Sequence, residues 1–378
     1  MVTLLTPQDG AIVSLQTTVQ KAFWANSEEY AQNQNWRILV PEATTADMSV
    51  PNPVCFTWET SGEFEVFLLS DCADFSNILY RVSGCGSCEI YNLEIDRTYY
   101  WRVGDSEIRS FHTEYNVPRY ILAEGARNIR DLGGYETCYG RRVKQGMIYR
   151  GSELNHHCSI KKEGVRRLRE DLGIVYDLDL RMVDEGGYIY RSPLGADIRY
   201  TRLFTDCYID YLESHAHSTF LMNFFAHNEK YPLYVHCAGG EDPTIMDTDI
   251  YPWDLHLTVG GYDRSSTVVF FLLAVLGVSD EDILREYEAT SLAEVTPVSR
   301  HVPKANCKDI PNRDFWEDTS NVKLPPTVDI YDRAKAFFDI MLNHHYGKTI
   351  HESVCNYLRM CGVTDETMDI FREKMLEK

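Results

Sequence analysis

A cysteine closes the apolar run Tyr234-Val235-His236-Cys237, and Ala238-Gly239-Gly240 follow at once. Further along, Gly261-Tyr262-Asp263-Arg264-Ser265-Ser266 leads into the apolar stretch Ser266–Leu276. A strand ending in cysteine, a glycine-rich turn and a helix start together make an anion site. Glycines let backbone N–H groups converge on an anion, because only a residue free of a Cβ comes that close. The helix amino terminus favours negative charge. The same field favours the thiolate, the form in which cysteine attacks.

These groups need a scaffold, and the sequence around them alternates between strand and helix patterns. Ile174–Leu180 and Pro232–His236 read as buried strands of a parallel sheet. Lys162–Glu170 reads as a charged amphipathic helix, and Ser266–Leu276, apolar all round, as a central helix enclosed by its domain. Ser279-Asp-Glu-Asp282 and Thr349-x-x-Glu352 carry helix-start signatures. The part beyond residue 117 is therefore expected to be an α/β domain with a mostly parallel sheet. Before it the texture differs. Val54–Trp58, Phe64–Leu69, Ile78–Val82, Thr98–Val103 and Ile108–Thr113 are short β-branched and aromatic runs separated by turn residues, the pattern of a β-sandwich. The expected organisation is multi-domain, with a sandwich over 1–116 and the α/β domain over 117–378.

Two resemblances sharpen this expectation. The early TPQDG turn, VCFTW, SDCADFSN, YYWRV and SFHT resemble, in order, a fibronectin type III or related immunoglobulin-like module across roughly residues 1–115. The segment around Cys237 resembles the protein tyrosine phosphatase superfamily, whose loop is His-Cys, five residues, Arg, then Ser or Thr. It is most similar to the bacterial tyrosine and dual-specificity branch, which acts on phosphoproteins and phosphoinositides and places Asp just before the Arg. Asn128-Ile-Arg-Asp-Leu-Gly-Gly134 followed by Gly146-Met-Ile-Tyr-Arg-Gly151 matches a second signature of that branch. Asp179-Leu-Arg181 with Asp184-Glu185 behind it is a third, and Leu276-Gly-Val-Ser-Asp-Glu-Asp-Ile283 a fourth.

The resemblance implies a cysteine-dependent phosphatase that needs no metal or cofactor. Cys237 is then the nucleophile that forms a phosphocysteine. Arg264 clamps the phosphoryl oxygens and stabilises transition-state charge. Ser265 hydrogen-bonds the thiolate, and Asp263 is the general acid for the leaving oxygen, with Asp206 a second candidate for that role. Ala238, Gly239, Gly240 and Tyr262 line the substrate loop, while Arg181 either lines the pocket or ties strand to loop. Tyr262 stands where the branch often has Lys, which favours phosphotyrosine over phosphoinositides. The expected partner is a phosphorylated protein or a small phosphomonoester. The sandwich domain's partner is not specified.

One departure interrupts the pattern. Cys237 and Arg264 are 27 positions apart, whereas the family spacing is six, and removing the 21 residues Glu241–Gly261 restores it. The ends of such a block must come within about one Cα step, ~3.8 Å, for the loop to keep its shape. Closure entropy permits this, since it grows slowly with length. Glu241, Asp242, Asp247, Asp249 and Asp254 bring carboxylates to the rim of an anion site, where they repel a dianion within a Debye length of ~8–10 Å. Three readings stay open: a surface lid over an intact site, an inactivating interruption, or a stretch foreign to the working protein. The alternative function is accordingly a pseudophosphatase or phosphoprotein-binding scaffold. A third possibility makes the sandwich an adhesion-like functional part with a vestigial second domain.

Composition bounds the rest. The chain has 378 residues, and 37 Lys+Arg against 57 Asp+Glu leave a net charge of −20, which makes nucleic acid a poor partner. The longest apolar run, Val268–Leu276, is too short for a bilayer span. The start MVTLLTPQDGAIV lacks a secretory pattern, and 11 cysteines form an odd, thinly spread set, so a cytoplasmic protein with reduced thiols is expected. Cys85-Gly-Ser-Cys88 reads as a turn rather than half a zinc site, since no matching pair lies near. His156-His157-Cys158 and His344-His345 read as solvated ends. The acidic residues of 241–254 lack the Gly and closing Glu of a calcium loop. Gly133-Gly134 reads as a turn, and Tyr99, Tyr100 and Trp101 as sandwich core.

Overall fold

The computed structural model describes residues 2–25, 47–62, 65–84, 86–155, 158–181, 191–203, 215–237, 264–293 and 346–378. Eight strands occupy the amino-terminal part: β1 (Val2–Thr6), β2 (Ala11–Val13), β3 (Val54–Thr60), β4 (Glu65–Ser70), β5 (Ile78–Gly84), β6 (Ser87–Ile90), β7 (Thr98–Val103) and β8 (Arg109–Thr113). They form a three-stranded sheet in the order β1-β3-β6 and a five-stranded sheet in the order β2-β8-β7-β4-β5. In β7 Tyr99, Trp101 and Val103 are buried while the residues between them are not, the period of two that puts one face into a core. Both sheets contribute to one apolar core. Phe56 and Trp58 of β3 meet Phe67 of β4 and Trp101 of β7, with the Phe56 ring 4.7 Å from Phe67 and 5.1 Å from Trp101. Tyr99 and Trp101 are core residues, as expected, whereas Tyr100, on the opposite face of the strand, is only half-buried.

A third sheet runs β13-β12-β14-β11-β10-β9, from β9 (Arg119–Tyr120), β10 (Arg130–Asp131), β11 (Ile148–Gly151), β12 (Tyr176–Asp179), β13 (Arg199–Arg202) and β14 (Leu233–His236). β13, β12, β14 and β11 are parallel to their neighbours, and β10 and β9 extend the sheet antiparallel. Among the described residues the α-helices, in chain order, are α1 (Thr18–Ala25), α2 (Lys162–Arg166), α3 (His215–His227), α4 (Arg264–Val275), α5 (Asp280–Glu288), α6 (Ile350–Met360) and α7 (Asp365–Met375). α2 runs on into a π-helical turn at Arg167–Asp171. Residues 268–276 are all buried, which fits the uniformly apolar sequence of α4. Ser279 caps α5 by accepting from the Asp282 N–H, and Thr349 caps α6 by accepting from the Glu352 N–H, as the signatures predict.

The two parts are joined by buried polar contacts as well as apolar ones. Phe23 and Trp24 of α1, with Met48, pack into the core of the third sheet rather than into that of the first two. The Trp24 indole N–H donates to the Tyr120 hydroxyl at 3.0 Å. Arg119 donates to the Leu93 carbonyl at 2.9 Å and to Asp131 at 2.9 Å. Gln145 accepts from the Ile95 N–H and donates to the Ile95 carbonyl. Gly133 allows this approach, because a Cβ there would lie 2.2 Å from the Gln145 Cα.

Candidate active site

The parallel register places Gly151 of β11 and Asp179 of β12 beside His236 of β14. Three strands thus end level at the carboxyl edge of the sheet, where ligands of parallel α/β sheets bind. Cys237 follows β14 and joins the apolar cluster that contains Val268 and Val269 of α4. It is almost fully buried and forms no disulfide. α4 opens at Arg264, and Ser265, Ser266 and Thr267 of its first turn are buried. Among the described residues the Ser265 hydroxyl finds no hydrogen-bond partner. A buried, unpaired hydroxyl beside a helix amino terminus is unusual, since buried polar groups are nearly always paired, and it is free to serve an incoming group.

Arg150 of β11 anchors that first turn. Its guanidinium donates to the Ser266 hydroxyl at 3.0 Å and to Glu286 of α5 at 3.2 Å. Arg130 of β10 holds the same Glu286 through Nε and Nη2 at 2.7 and 2.8 Å, and also donates to Asn128. Burial, reinforced by the charge of Arg130, pushes the Arg150 pKa down to about 10 against the pull of Glu286 and Cys237. The guanidinium stays charged at neutral pH. Cys237 is one of the charges that act on Arg150, and the same guanidinium bonds Ser266 in the first turn of α4.

A second buried polar layer lies on the other face of the strand ends. Asp177 and Asp179 alternate with the apolar Leu178 along β12 and share a face with Tyr234 and His236 of β14. Arg181 donates to Asp179 from Nε and Nη2, to Glu153 at 2.8 Å, and to the backbone and side-chain oxygens of Asn155. Tyr200 of β13 donates to Asp179 at 2.7 Å. Burial would raise the Asp179 pKa, but His236, Arg181 and Tyr200 together hold it well below the usual carboxylate range. His236 Nε2 lies 3.0 Å from Asp177 Oδ1, out of line for a regular hydrogen bond, and Nδ1 lies 3.3 Å from the Cys237 carbonyl. Burial opposes the imidazolium, and Asp179 and Asp177 outweigh it, so the His236 pKa is raised.

Of the residues the sequence singles out, Cys237 and Ser265 sit at this edge, and Arg264 occupies the first position of α4. Arg181 is fully buried. All five of its N–H groups are taken by Asp179, Glu153 and Asn155, bonds that tie the strand to the loop after β11. Ala238, Gly239, Gly240, Tyr262, Asp263 and Asp206 lie outside the described residues, as do the block 241–261 and Asp184-Glu185. Sequence reasoning missed Arg150, Glu286 and Asp177 as site residues. Arg150 stood within a recognised signature, and Asp177 was visible as a charge inside an apolar strand; nothing local marked Glu286. Among the described residues no group of three or more His, Cys, Asp or Glu side chains could hold a metal ion, and no helix is long and apolar enough to cross a membrane.

This edge, with a cysteine at the end of a parallel strand facing a buried helix start, is of the cysteine-phosphatase class. The tyrosine phosphatase family profile matches residues 121–246 and 255–377, two thirds of the chain, and the protein belongs to that family. It is thus a cysteine-type phosphatase, a hydrolase acting on phosphate esters. The break in the match, 247–254, falls inside the block between the two halves of the loop. No curated protein matches the chain. Among solved structures it is similar to the core catalytic domain of the PP-IP phosphatase SIW14 from S. cerevisiae, in complex with citrate. That likeness has 14% identity over 47% of this chain and 91% of that one, with a TM-score of 0.27. At that score it adds nothing to the family assignment.

Proposed function

We propose that the protein hydrolyses phosphate monoesters, phosphotyrosine foremost, in two steps at Cys237. The thiolate sulfur attacks phosphorus, the bond to the leaving oxygen breaks, and Asp263 gives that oxygen its proton. Water then attacks the phosphocysteine and passes a proton to Asp263, and phosphate departs as the sulfur regains its electron pair. Arg264 neutralises the equatorial oxygens, and amides of Ala238, Gly239 and Gly240 cradle them. Tyr262 lines the same loop, with Asp206 the reserve acid. Ser265 hydrogen-bonds the thiolate as it leaves phosphorus. The observation that supports this most is the buried Ser265 hydroxyl, without a partner among the described residues, in the turn of α4 that Arg264 opens. Residues 117–378 form the working domain, residues 1–116 a fibronectin type III-like sandwich, and the reduced thiol suits the cytoplasm.

A second reading has its own support. The family match breaks inside the block 241–261, so the alternative is a phosphoprotein-binding pseudophosphatase. Three forms of the protein separate the two: the whole chain, Cys237→Ser, and a deletion of residues 241–261. Each is assayed on p-nitrophenyl phosphate and phosphotyrosine peptides with and without EDTA. The enzyme reading expects chelator-resistant turnover in the whole chain, abolished in Cys237→Ser. Turnover only after the deletion assigns the block an inhibitory role. Phosphopeptide binding without turnover in any form favours the scaffold.

A further inference from the structure

Between β2 and β3 of the first two sheets lie α1 and the turn 47–50, and both are docked on the core of the third sheet. Thr17 and Gln20 cap α1 reciprocally: the Thr17 hydroxyl accepts from the Gln20 N–H at 3.2 Å, and Gln20 Oε1 from the Thr17 N–H at 2.9 Å. The side-chain nitrogen of that fully buried glutamine donates to the Met48 and Val50 carbonyls at 2.8 and 3.0 Å, clamping the turn to the helix. The turn itself grips two elements behind the catalytic edge. The Met48 N–H donates to the Leu292 carbonyl at 2.8 Å, in the 3₁₀ turn Ala289–Ala293 that follows α5. The Ser49 hydroxyl accepts from the Asn128 N–H at 3.2 Å, just ahead of β10. Ser49 gives its own proton to Asp47 at 2.6 Å, which leaves its oxygen as an acceptor for Asn128.

We propose that this β2–β3 connection is a positioning element of the catalytic edge, acting through Ser49 on the start of α4. Asn128 sits in the left-handed region, φ 56°, a conformation uncommon for any residue but glycine and least costly for asparagine. Ser49 holds its N–H, and its side-chain oxygen accepts from Arg130. From there a buried series of hydrogen bonds reaches the helix that Arg264 opens. Arg130 and Arg150 share Glu286, and Arg150 donates to Ser266 in the first turn of α4. Arg130 also donates to Thr290 at 3.3 Å, in the same 3₁₀ turn that Met48 grips. The connection thus braces both carriers of the network, the loop entering β10 and the end of α5, and a shift in either moves Arg150 against the helix start. The inference rests on the reading of that edge as catalytic, and it enlarges the working unit beyond 117–378 to include 17–25 and 47–50.

The test compares the full chain with Ser49→Ala, with Ser49→Thr, which keeps the hydroxyl, and with the milder Asp47→Asn. Amide hydrogen exchange is read by mass spectrometry on peptides covering 126–132, 264–272 and, as a reference in β7, 98–103. In parallel, kcat and KM are measured on p-nitrophenyl phosphate well below the thermal midpoint. In Ser49→Ala exchange is expected to quicken ~3–10-fold over both 126–132 and 264–272 and to stay unchanged over 98–103. Its kcat is expected to fall ~3–10-fold with KM within about twofold of wild type. Ser49→Thr restores both readouts, and Asp47→Asn moves them the same way by less. Faster exchange over 126–132 alone, with 264–272 and kcat as in wild type, overturns the proposal, because it makes Ser49 a local fastening. So does a Ser49→Thr variant as impaired as Ser49→Ala, or no change in either. Should Ser49→Ala fail to fold, Asp47→Asn carries the test by the same criteria. A wild-type chain that turns nothing over, while Ser49→Ala still quickens exchange over 264–272, refutes the phosphatase reading and leaves the bracing intact. Turnover and exchange indifferent to Ser49 do the reverse.

Discussion

The core between the first two sheets and the carboxyl edge of the third are both buried, and they are built from opposite materials. Phe56, Phe67, Trp101 and Phe111 fill the first with rings in edge-on or tilted contact. The second buries Arg130, Arg150, Arg181, Asp177, Asp179, Glu153, Glu286 and His236. Apolar packing loses stability in proportion to the atoms removed and tolerates swaps of similar volume. A buried charge network contributes little net stability when whole, but removing one partner strands another charge. Such a layer is an expensive way to hold a fold and an effective way to hold a helix start, a strand end and a cysteine in one arrangement. The contrast teaches where function has shaped the molecule.

That contrast can be broken at several points. Glu286→Ala leaves Arg130 and Arg150 buried without their shared carboxylate, and is expected to cost about 3–5 kcal/mol in denaturant unfolding, the largest effect of the set. Asp179→Asn is next at neutral pH. Its folded pKa is depressed, so its contribution is present above the unfolded value of ~3.9 and fades as pH falls through the folded one. Unfolding of Asp179→Asn and wild type should therefore converge in strong acid. A gap that persists there would mean the loss is one of packing. Phe67→Leu, in the aromatic core, is expected to cost ~1–2 kcal/mol with turnover unchanged; an equal loss of activity would show that the two regions are coupled. Ser279→Ala removes only the cap of α5 and should cost about 1 kcal/mol, visible as a small shift in thermal midpoint.

The parts of the fold that follow from local periodicity were legible in the sequence. Strands such as Thr98–Val103 and helices such as Arg264–Val275 appear where alternation and uniform apolarity predict them, within a residue or two. Strand 174–180 is shorter than its apolar run, spanning only Tyr176–Asp179, because the pairing with β13 and β14, not hydrophobicity, decides where a ladder begins. Cys237 was legible because its neighbours are unusual as a set. Asp177 and Glu286 were not assigned to the site, since their importance depends on which strand and helix lie opposite, a property of topology. The placement of Trp24 and Met48 in the far core likewise has no local signal: an amphipathic turn records that a face is buried, not against what.

The central claim is that sulfur of Cys237 and the turn opened by Arg264 act on one phosphoryl group. Acid quench of the whole chain during turnover of p-nitrophenyl phosphate, followed by mass analysis of the peptide that contains Cys237, tests it most directly. A phosphoryl group is expected on Cys237, trapped by denaturation in the quench and absent from Cys237→Ser, which turns nothing over. Sustained turnover by Cys237→Ser, or turnover by the whole chain with no phosphoryl group reaching that sulfur, would contradict it.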